Sequence, residues 1–187
     1  SFDVSESHVS GSCSKDGSMI AGGFGVVNAS ASAPGGAVWL ATEKAGLVHV
    51  SNGEANTIGW VSGNMWSVAV SEDGKMVAAG NETVVALVNA TTERMFRWDW
   101  VTNVTNGAGG VYDDVATTLA FDSEGTLWVG TPSALNARWV NGSVSRFAGL
   151  GAGGLPWGNI TALHAGIDTR NGGQRFLLVG TTRGLSI

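Results

Sequence analysis

The sequence contains a single cysteine, Cys13, among its 187 residues. One cysteine cannot form an internal disulfide, so a small scaffold held together by disulfides is excluded. We expect Cys13 either to be a small buried apolar side chain or to bond to another chain. Long apolar runs are missing too. None approaches the ~18–20 residues of a membrane span, so we predict no membrane-spanning helix.

Charge is scarce as well. Charged residues make up 13% of the chain and the net charge is −5, whereas ~25% charged residues is usual for a soluble domain. The lysines and arginines are scattered, and a phosphate-binding surface needs them clustered. The sequence therefore predicts no nucleic-acid partner, and something other than charge must keep the surface hydrated.

A third absence is helical periodicity, because no stretch repeats its apolar residues at the ~3.6-residue period of a helix. Instead, Val, Thr, Ile, Trp and Phe form short runs separated by Gly, Asn, Asp and Ser, which is the pattern of strands and turns. The chain is therefore predicted to be all-β. It starts at Ser1 without a methionine, and we interpret it as a mature or excised piece.

Four segments repeat one pattern: a strand, a tight turn with glycine, and a second apolar strand that ends in a small residue. They cover residues 26–50, 66–88, 117–140 and 160–187, with turn glycines Gly36, Gly74, Gly125 and Gly173. Turns about 40–50 residues apart are typical of propeller blades, and glycine supplies the positive φ of a tight hairpin. The second strands are apolar on both faces, as expected for strands between neighbouring sheets.

These observations predict one all-β, β-propeller-like domain over residues 1–187, with about four to five blades of four-stranded antiparallel sheets. The repeat units are approximately 26–64, 65–115, 116–159 and 160–187, preceded by N-terminal strands in residues 1–25. Those strands are expected either to form a partial blade or to complete the last blade, and residues 1–7 are the candidate strand for completing it. The last unit reaches only a third strand, so the propeller is predicted to be incomplete or completed by a partner chain.

The third and fourth units carry recognisable phrases. Residues 124–131 read EGTLWVGT, residues 154–156 read GLP, and residues 159–163 read NITAL. They resemble the repeats of two-component-regulator propellers, in which DGTLWIGT precedes GLPSN and VTAL. The second unit, SVAVSEDGKMVAAG, is closer to a WD40-like strand pair. The resemblance implies a propeller fold and a periplasmic or extracellular sensor domain of a membrane-spanning signalling protein, often one that senses carbohydrate.

N-x-Ser/Thr sequons are dense, with six where the composition predicts about two by chance. Their asparagines are Asn28, Asn81, Asn89, Asn103, Asn141 and Asn159. The excess favours an exported eukaryotic glycoprotein, whose N-linked glycans would hydrate a surface poor in charge. Coincidence in a turn-rich β protein is the alternative. All but Asn28 and Asn159 are predicted in loops or outer strands, and Asn159 is the candidate for a structural turn.

A candidate binding patch consists of Trp98, Trp100, Tyr112, Asp113 and Asp114. Trp98 and Trp100 lie two residues apart and share one face of a strand, where aromatics can stack on a sugar or dock a protein. Packing between blades is the alternative. The adjacent carboxylates of Asp113 and Asp114 could do acid–base work on sugars or bind calcium.

The three histidines, His8, His49 and His164, are isolated in sequence, so each is expected to be a strand residue with a hydrogen-bonded partner rather than a metal ligand. There is neither a nucleophile elbow nor a phosphate-binding loop. The sequence therefore predicts no catalytic residue, no metal site and no cofactor. Trp39 and Trp128 occupy matching positions in their units and are expected in the core.

The functional hypothesis is a non-catalytic, secreted glycoprotein propeller module for binding or structural assembly. Its expected partners are other copies of itself or a companion chain, N-linked glycans, and a carbohydrate ligand. One alternative is the carbohydrate-sensing propeller domain of a signalling receptor. The other is a propeller enzyme acting on polysaccharide, with Asp113 and Asp114 as its paired carboxylates.

Overall fold

The computed structural model describes residues 12–13, 19–20, 25–59, 61, 63–82, 84–99, 115–147 and 158–187. Its regular elements in these ranges are β-strands, apart from two single turns of 3-10 helix, Pro34–Gly36 and Thr169–Asn171. The strands form four antiparallel sheets. The all-β prediction is therefore confirmed.

The first sheet contains six strands in the order β2-β1-β6-β5-β4-β3. They are β1 (Ser12–Cys13), β2 (Met19–Ile20), β3 (Val27–Ser32), β4 (Val38–Thr42), β5 (Gly46–Ser51) and β6 (Glu54–Thr57). The hairpin of β1 and β2 joins the sheet where Ser12 pairs with Glu54 of β6. The N-terminal hairpin therefore extends the first sheet instead of completing the last one, while residues 1–7 lie outside the described residues.

The other three sheets follow in chain order. The second has the order β10-β9-β8-β7, the third β11-β12-β13-β14 and the fourth β15-β16-β17. Their strands are β7 (Ser67–Val70), β8 (Met76–Gly80), β9 (Val84–Asn89), β10 (Met95–Asp99), β11 (Thr118–Phe121), β12 (Leu127–Gly130), β13 (Leu135–Arg138), β14 (Val144–Phe147), β15 (Ile160–Asp168), β16 (Gln174–Thr181) and β17 (Gly184–Ser186). The fourth sheet thus has the three strands that the sequence predicted.

The chain divides into two compact units. One combines Ser1–Ala79 with Ala86–Phe96, and the other combines Gly80–Val85 with Arg97–Ile187. Within the first unit β7 packs on β3 and β4, and within the second β15 packs on β11 and β12. In each unit, the first strand of one sheet therefore lies against the first two main strands of the sheet before it, as in successive propeller blades.

The second strand of the fourth sheet is less buried than the second strands of the other three sheets. β4 and β8 are buried from their second residue onward, and β12 is buried except at Trp128. In β16 only Val179 is buried. The prediction of a second strand buried on both faces is therefore wrong for β16, because no other described strand of its unit covers its second face.

The turn glycines behave as predicted. Gly74 and Gly125 have φ angles of 70° and 81°, and Gly36 and Gly173 have φ angles of 86° and 77°. These values lie in the left-handed region, which glycine enters without a steric penalty. Each of these residues therefore allows the chain to reverse between the first and second strands of its sheet.

Candidate functional site

The predicted aromatic and acidic patch lies mostly outside the described residues. Trp98 is on β10, whereas Trp100, Tyr112, Asp113 and Asp114 fall outside the described ranges, as do Asn103 and His8. The patch therefore stays a prediction.

The described histidines lie on strands. The His49 ring, on β5, stacks on Trp39 with centroids 4.2 Å apart, and its Nδ1 lies 3.3 Å from Glu93 Oε1. His164, on β15, lies beside the Phe176 ring. His49 thus has the hydrogen-bonded partner predicted for it. In the described part of the chain, no group of three or more His, Cys, Asp or Glu side chains could hold a metal ion.

Asn81 occupies a turn position that threonine fills in other sheets. After β12, the Thr131 hydroxyl accepts the Ala134 N–H at 3.0 Å and donates to the Ala134 carbonyl at 2.8 Å. Thr42, at the end of β4, likewise accepts the Ala45 N–H. After β8, Asn81 Oδ1 accepts the Val84 N–H at 3.0 Å. The Asn81 side chain therefore has a turn-capping role, whereas the sequence names Asn159 as the candidate for a structural turn and not Asn81.

The other sequon asparagines differ in how their amides are used. On β3, Asn28 Nδ2 donates to Asn64 Oδ1 at 2.9 Å and to the Met65 carbonyl at 2.8 Å. Asn89 is held through its oxygen, which accepts from the backbone N–H groups of Thr91 and Thr92. These hydrogen bonds thus use the amide nitrogen of Asn28 but the amide oxygen of Asn89.

The third sheet carries an aromatic cluster. Trp128 lies 6.1 Å from Trp139 and 5.8 Å from Phe147, measured between ring centroids. The Trp128 indole N–H donates to Asp122 Oδ2 at 2.9 Å. Trp39 is 1% exposed and in the core, but Trp128 is only half-buried. The core prediction is therefore correct for Trp39 and incomplete for Trp128, whose indole reaches the partly exposed Asp122.

β16 has an open backbone edge. It pairs with β15 along its length from Gln174 to Thr181, but β17 pairs with it only from Val179 to Thr181. Among the described residues, positions 174–178 thus have a strand on one side only. Unpaired N–H and C=O groups of this kind form a template for another strand.

A cleft of about 760 Å³ follows this open edge. Its lining includes Ile167, Arg170, Arg175, Phe176, Leu178 and Ile187. Ile187 is 85% exposed and Ile167 is 44% exposed. The sequence predicts the third strand of this sheet but not the cleft, because the residues that line the cleft come from separate segments that only the fold brings together.

The four successive antiparallel sheets define a β-propeller repeat protein, and comparisons with known proteins agree. The family model described as "Two component regulator propeller" matches residues 113–133, which confirms the resemblance drawn from residues 124–131. No curated protein matches the chain in sequence. In the described residues, no helix is long and apolar enough to cross a membrane.

Several solved structures share the fold. The extracellular domain of a putative one-component system from B. thetaiotaomicron is 15% identical with a TM-score of 0.66, over 92% of this chain and 23% of that chain. Hydrazine synthase from Kuenenia stuttgartiensis is 12% identical with a TM-score of 0.63, over 85% and 44% of the respective chains. The WD40 repeats of RRP9 are 15% identical with a TM-score of 0.58, over 82% and 51%.

These likenesses confirm the propeller fold and, at such low identities, show the fold alone. The chain spans 23% to 51% of the length of these three solved chains. The enzyme among them therefore gives this chain no catalytic role.

Proposed function

We propose that this chain is an extracellular, non-catalytic propeller module that binds a β-strand at the open edge of β16, and that a second copy donates the strand. The observation that carries the proposal is the stretch 174–178, which among the described residues pairs with a strand on one side only. Beside it lies a cleft whose lining combines the apolar Ile167, Phe176, Leu178 and Ile187 with polar and charged side chains. Main-chain hydrogen bonds would supply affinity, and the cleft would select alternate side chains of the incoming strand. The extracellular location is supported by the likeness to an extracellular domain.

Residues 1–7 of the second copy are the proposed donor. Phe2 and Val4 alternate with Asp3 and Ser5, so over the first five residues one face of this strand would be apolar and the other polar, before Glu6 adds a charge. Seven extended residues span about 23 Å, more than the roughly 17 Å of five strand positions. Residues 1–11 precede β1, which pairs with β6 of its own sheet through Ser12 and Glu54.

The test is the mass of the unglycosylated chain in solution across a concentration series, measured by sedimentation. We expect a dimer or larger species in the full chain, and a shift toward monomer when residues 1–7 are deleted or when Ile187→Lys places a charge in the cleft. Val140→Lys is the matched control, because Val140 is 71% exposed but lies in the turn after β13.

A concentration-independent monomeric mass for the full chain would overturn the proposal. Self-association that survives Ile187→Lys would show that another surface assembles the chain. A third outcome is that Ile187→Lys weakens self-association while deletion of residues 1–7 leaves it unchanged. That result would reject residues 1–7 as the donor strand.

A second candidate function is carbohydrate sensing in a signalling receptor. It is favoured by the family match over residues 113–133 and by the likeness to the extracellular domain of a putative one-component system. The predicted patch around Trp98 and Trp100 is its binding surface. Trp98→Ala should abolish binding to an oligosaccharide array, whereas Trp66→Ala, at a partly exposed tryptophan elsewhere in the chain, should not. Equal binding by both variants would remove this candidate.

A further inference from the structure

We propose that Asn141 is an N-glycosylation site at which the first sugar stacks on the Trp139 ring. The proposal rests on the extracellular part of the proposed function and is independent of strand exchange at β16. It gives a specific role to one sequon of the six and to the aromatic residue beside it.

The turn between β13 and β14 presents the acceptor. The Gly142 N–H donates to the Trp139 carbonyl at 2.8 Å, and the Trp139 N–H donates to the Ser143 carbonyl at 2.9 Å. Gly142 has a φ of 85°, so the turn is a type I turn completed by a glycine bulge. Asn141 is at the third position of this turn and is exposed.

The Asn141 amide is oriented by its own sequon. Oδ1 accepts the Ser143 N–H at 2.9 Å and the Ser143 hydroxyl at 2.7 Å. Both bonds use the amide oxygen, and polarisation of the carbonyl makes the N–H groups more acidic. The nitrogen that must receive the sugar is not used by either bond.

Trp139 is the first residue of the turn that carries the acceptor. Its indole N–H donates to Ser145 Oγ at 2.9 Å. The backbone N–H of Trp139 donates to the carbonyl of Ser143, the residue just before β14. Asn141 contacts Ser143 and Trp139 contacts Ser145, so the amide and the half-buried ring are held by two serines that lie two positions apart in the same arm of the hairpin. A sugar attached at Asn141 can place its C–H groups on the negative face of the ring.

The chemistry is a group transfer from a lipid-diphosphate-linked oligosaccharide. The bond between the sugar C1 and the diphosphate oxygen breaks, a bond from C1 to Asn141 Nδ2 forms, Nδ2 releases one proton, and the lipid diphosphate leaves. One hydrogen remains on the nitrogen. At Asn28 the same transfer would remove one of two hydrogen bonds that Nδ2 donates, so Asn28 is the matched unfavourable site.

The first experiment is glycopeptide mapping of the chain secreted from a eukaryotic cell, which exposes every sequon to the transferase whatever the native location. We expect Asn141 to be occupied in most molecules and Asn28 in few. An unmodified Asn141, or occupancy no higher than that of Asn28, overturns the proposal. Strand exchange at β16 is measured separately by mass, so the two proposals fail independently.

The second experiment tests the ring. The glycoprotein is trimmed to a single N-acetylglucosamine and compared with Asn141→Asp, which keeps the turn acceptor but carries no sugar. We expect the trimmed form to melt about 2–4 °C higher, Trp139→Phe to keep most of this difference, and Trp139→Leu to abolish it. A melting difference that is equally large in the Trp139→Leu variant would overturn stacking.

NMR of the trimmed parent protein tests stacking without a Trp139 variant. An upfield ring-current shift of the sugar C–H proton resonances supports stacking, and unshifted resonances reject it.

Discussion

The Ile160 Cγ2 atom lies 2.6 Å from the position that a Cβ would occupy on Gly130. Ile160 begins the fourth sheet and Gly130 ends the second strand of the third, so the absence of a side chain at Gly130 lets the two sheets approach. A Cβ there would also lie 2.6 Å from Thr118 Cγ2. Gly130 is the small residue with which the second strand of its repeat unit ends.

Gly130→Ala should therefore destabilise the protein by about 1–3 kcal/mol, because one methyl group must displace two packed side chains. Urea unfolding measures this loss. The control is Gly59→Ala, where an added Cβ meets nothing within 4 Å. Equal stability of the two variants would contradict close approach at Gly130.

The Thr131 hydroxyl fixes the turn between β12 and β13. Thr131→Val keeps the shape of the side chain but removes both hydrogen bonds to Ala134. The Ala134 carbonyl still accepts the Thr131 backbone N–H at 3.0 Å, but the Ala134 N–H loses its acceptor. Because Thr131 and Ala134 are buried, this loss should cost about 1–3 kcal/mol in the free energy of unfolding. Thr131→Ser retains the hydroxyl and should recover most of the loss. A Val variant as stable as the Ser variant would show that the hydroxyl is dispensable.

How far the sequence predicts this fold depends on the range of the interaction involved. Glycine turns and apolar strands are encoded locally, and the residues beside Gly74 and Gly125 are enough to predict their turns. The exposure of β16 is not predictable from its own residues, because its stretch 176–181 is as apolar as β4 and β8 and its burial depends on whether another sheet covers it. Burial of an apolar strand is a tertiary property that its own residues do not report.

The candidate sites show the same limit. Every sequon is visible in the sequence, but the roles of Asn28 and Asn81 depend on partners that only the fold supplies. Asn64 is 36 positions from Asn28, so no local pattern could reveal that its oxygen binds the Asn28 amide. The role of Asn81 could have been found by aligning it with Thr42 and Thr131 at the end of each second strand.

Asn81→Thr tests that alignment. Threonine at this position should cap the turn after β8 as Thr131 does after β12, so stability should change by no more than about 0.5 kcal/mol. Asn81→Val lacks an acceptor for the Val84 N–H and should lose about 1 kcal/mol. Thermal and urea unfolding compare the two. Since Thr also removes the sequon, its secreted form shows whether a glycan at Asn81 adds stability. A Thr variant as unstable as the Val variant would contradict the equivalence of these turns.

Asp73 gives the turn between β7 and β8 a dependence on pH. Its carboxylate accepts the Lys75 backbone N–H at 3.0 Å and the Ser71 hydroxyl at 2.7 Å. These bonds, the backbone one first, lower the pKa of Asp73 from 3.8 to about 2. Because the pKa in the folded protein is below that in the unfolded chain, the stabilisation is fully present above pH ~4 and is lost as the pH falls toward 2.

Titration of the Asp73 carboxyl carbon by NMR should therefore give a midpoint near 2 in the folded protein. Asp73→Asn should remove that transition and flatten the fall in stability between pH ~4 and ~2. Ser71→Ala removes one of the bonds and should raise the midpoint only part of the way toward 3.8, because the backbone N–H of Lys75 still donates. A midpoint of 3.8 in the unaltered protein would mean that the turn does not hold the carboxylate in solution.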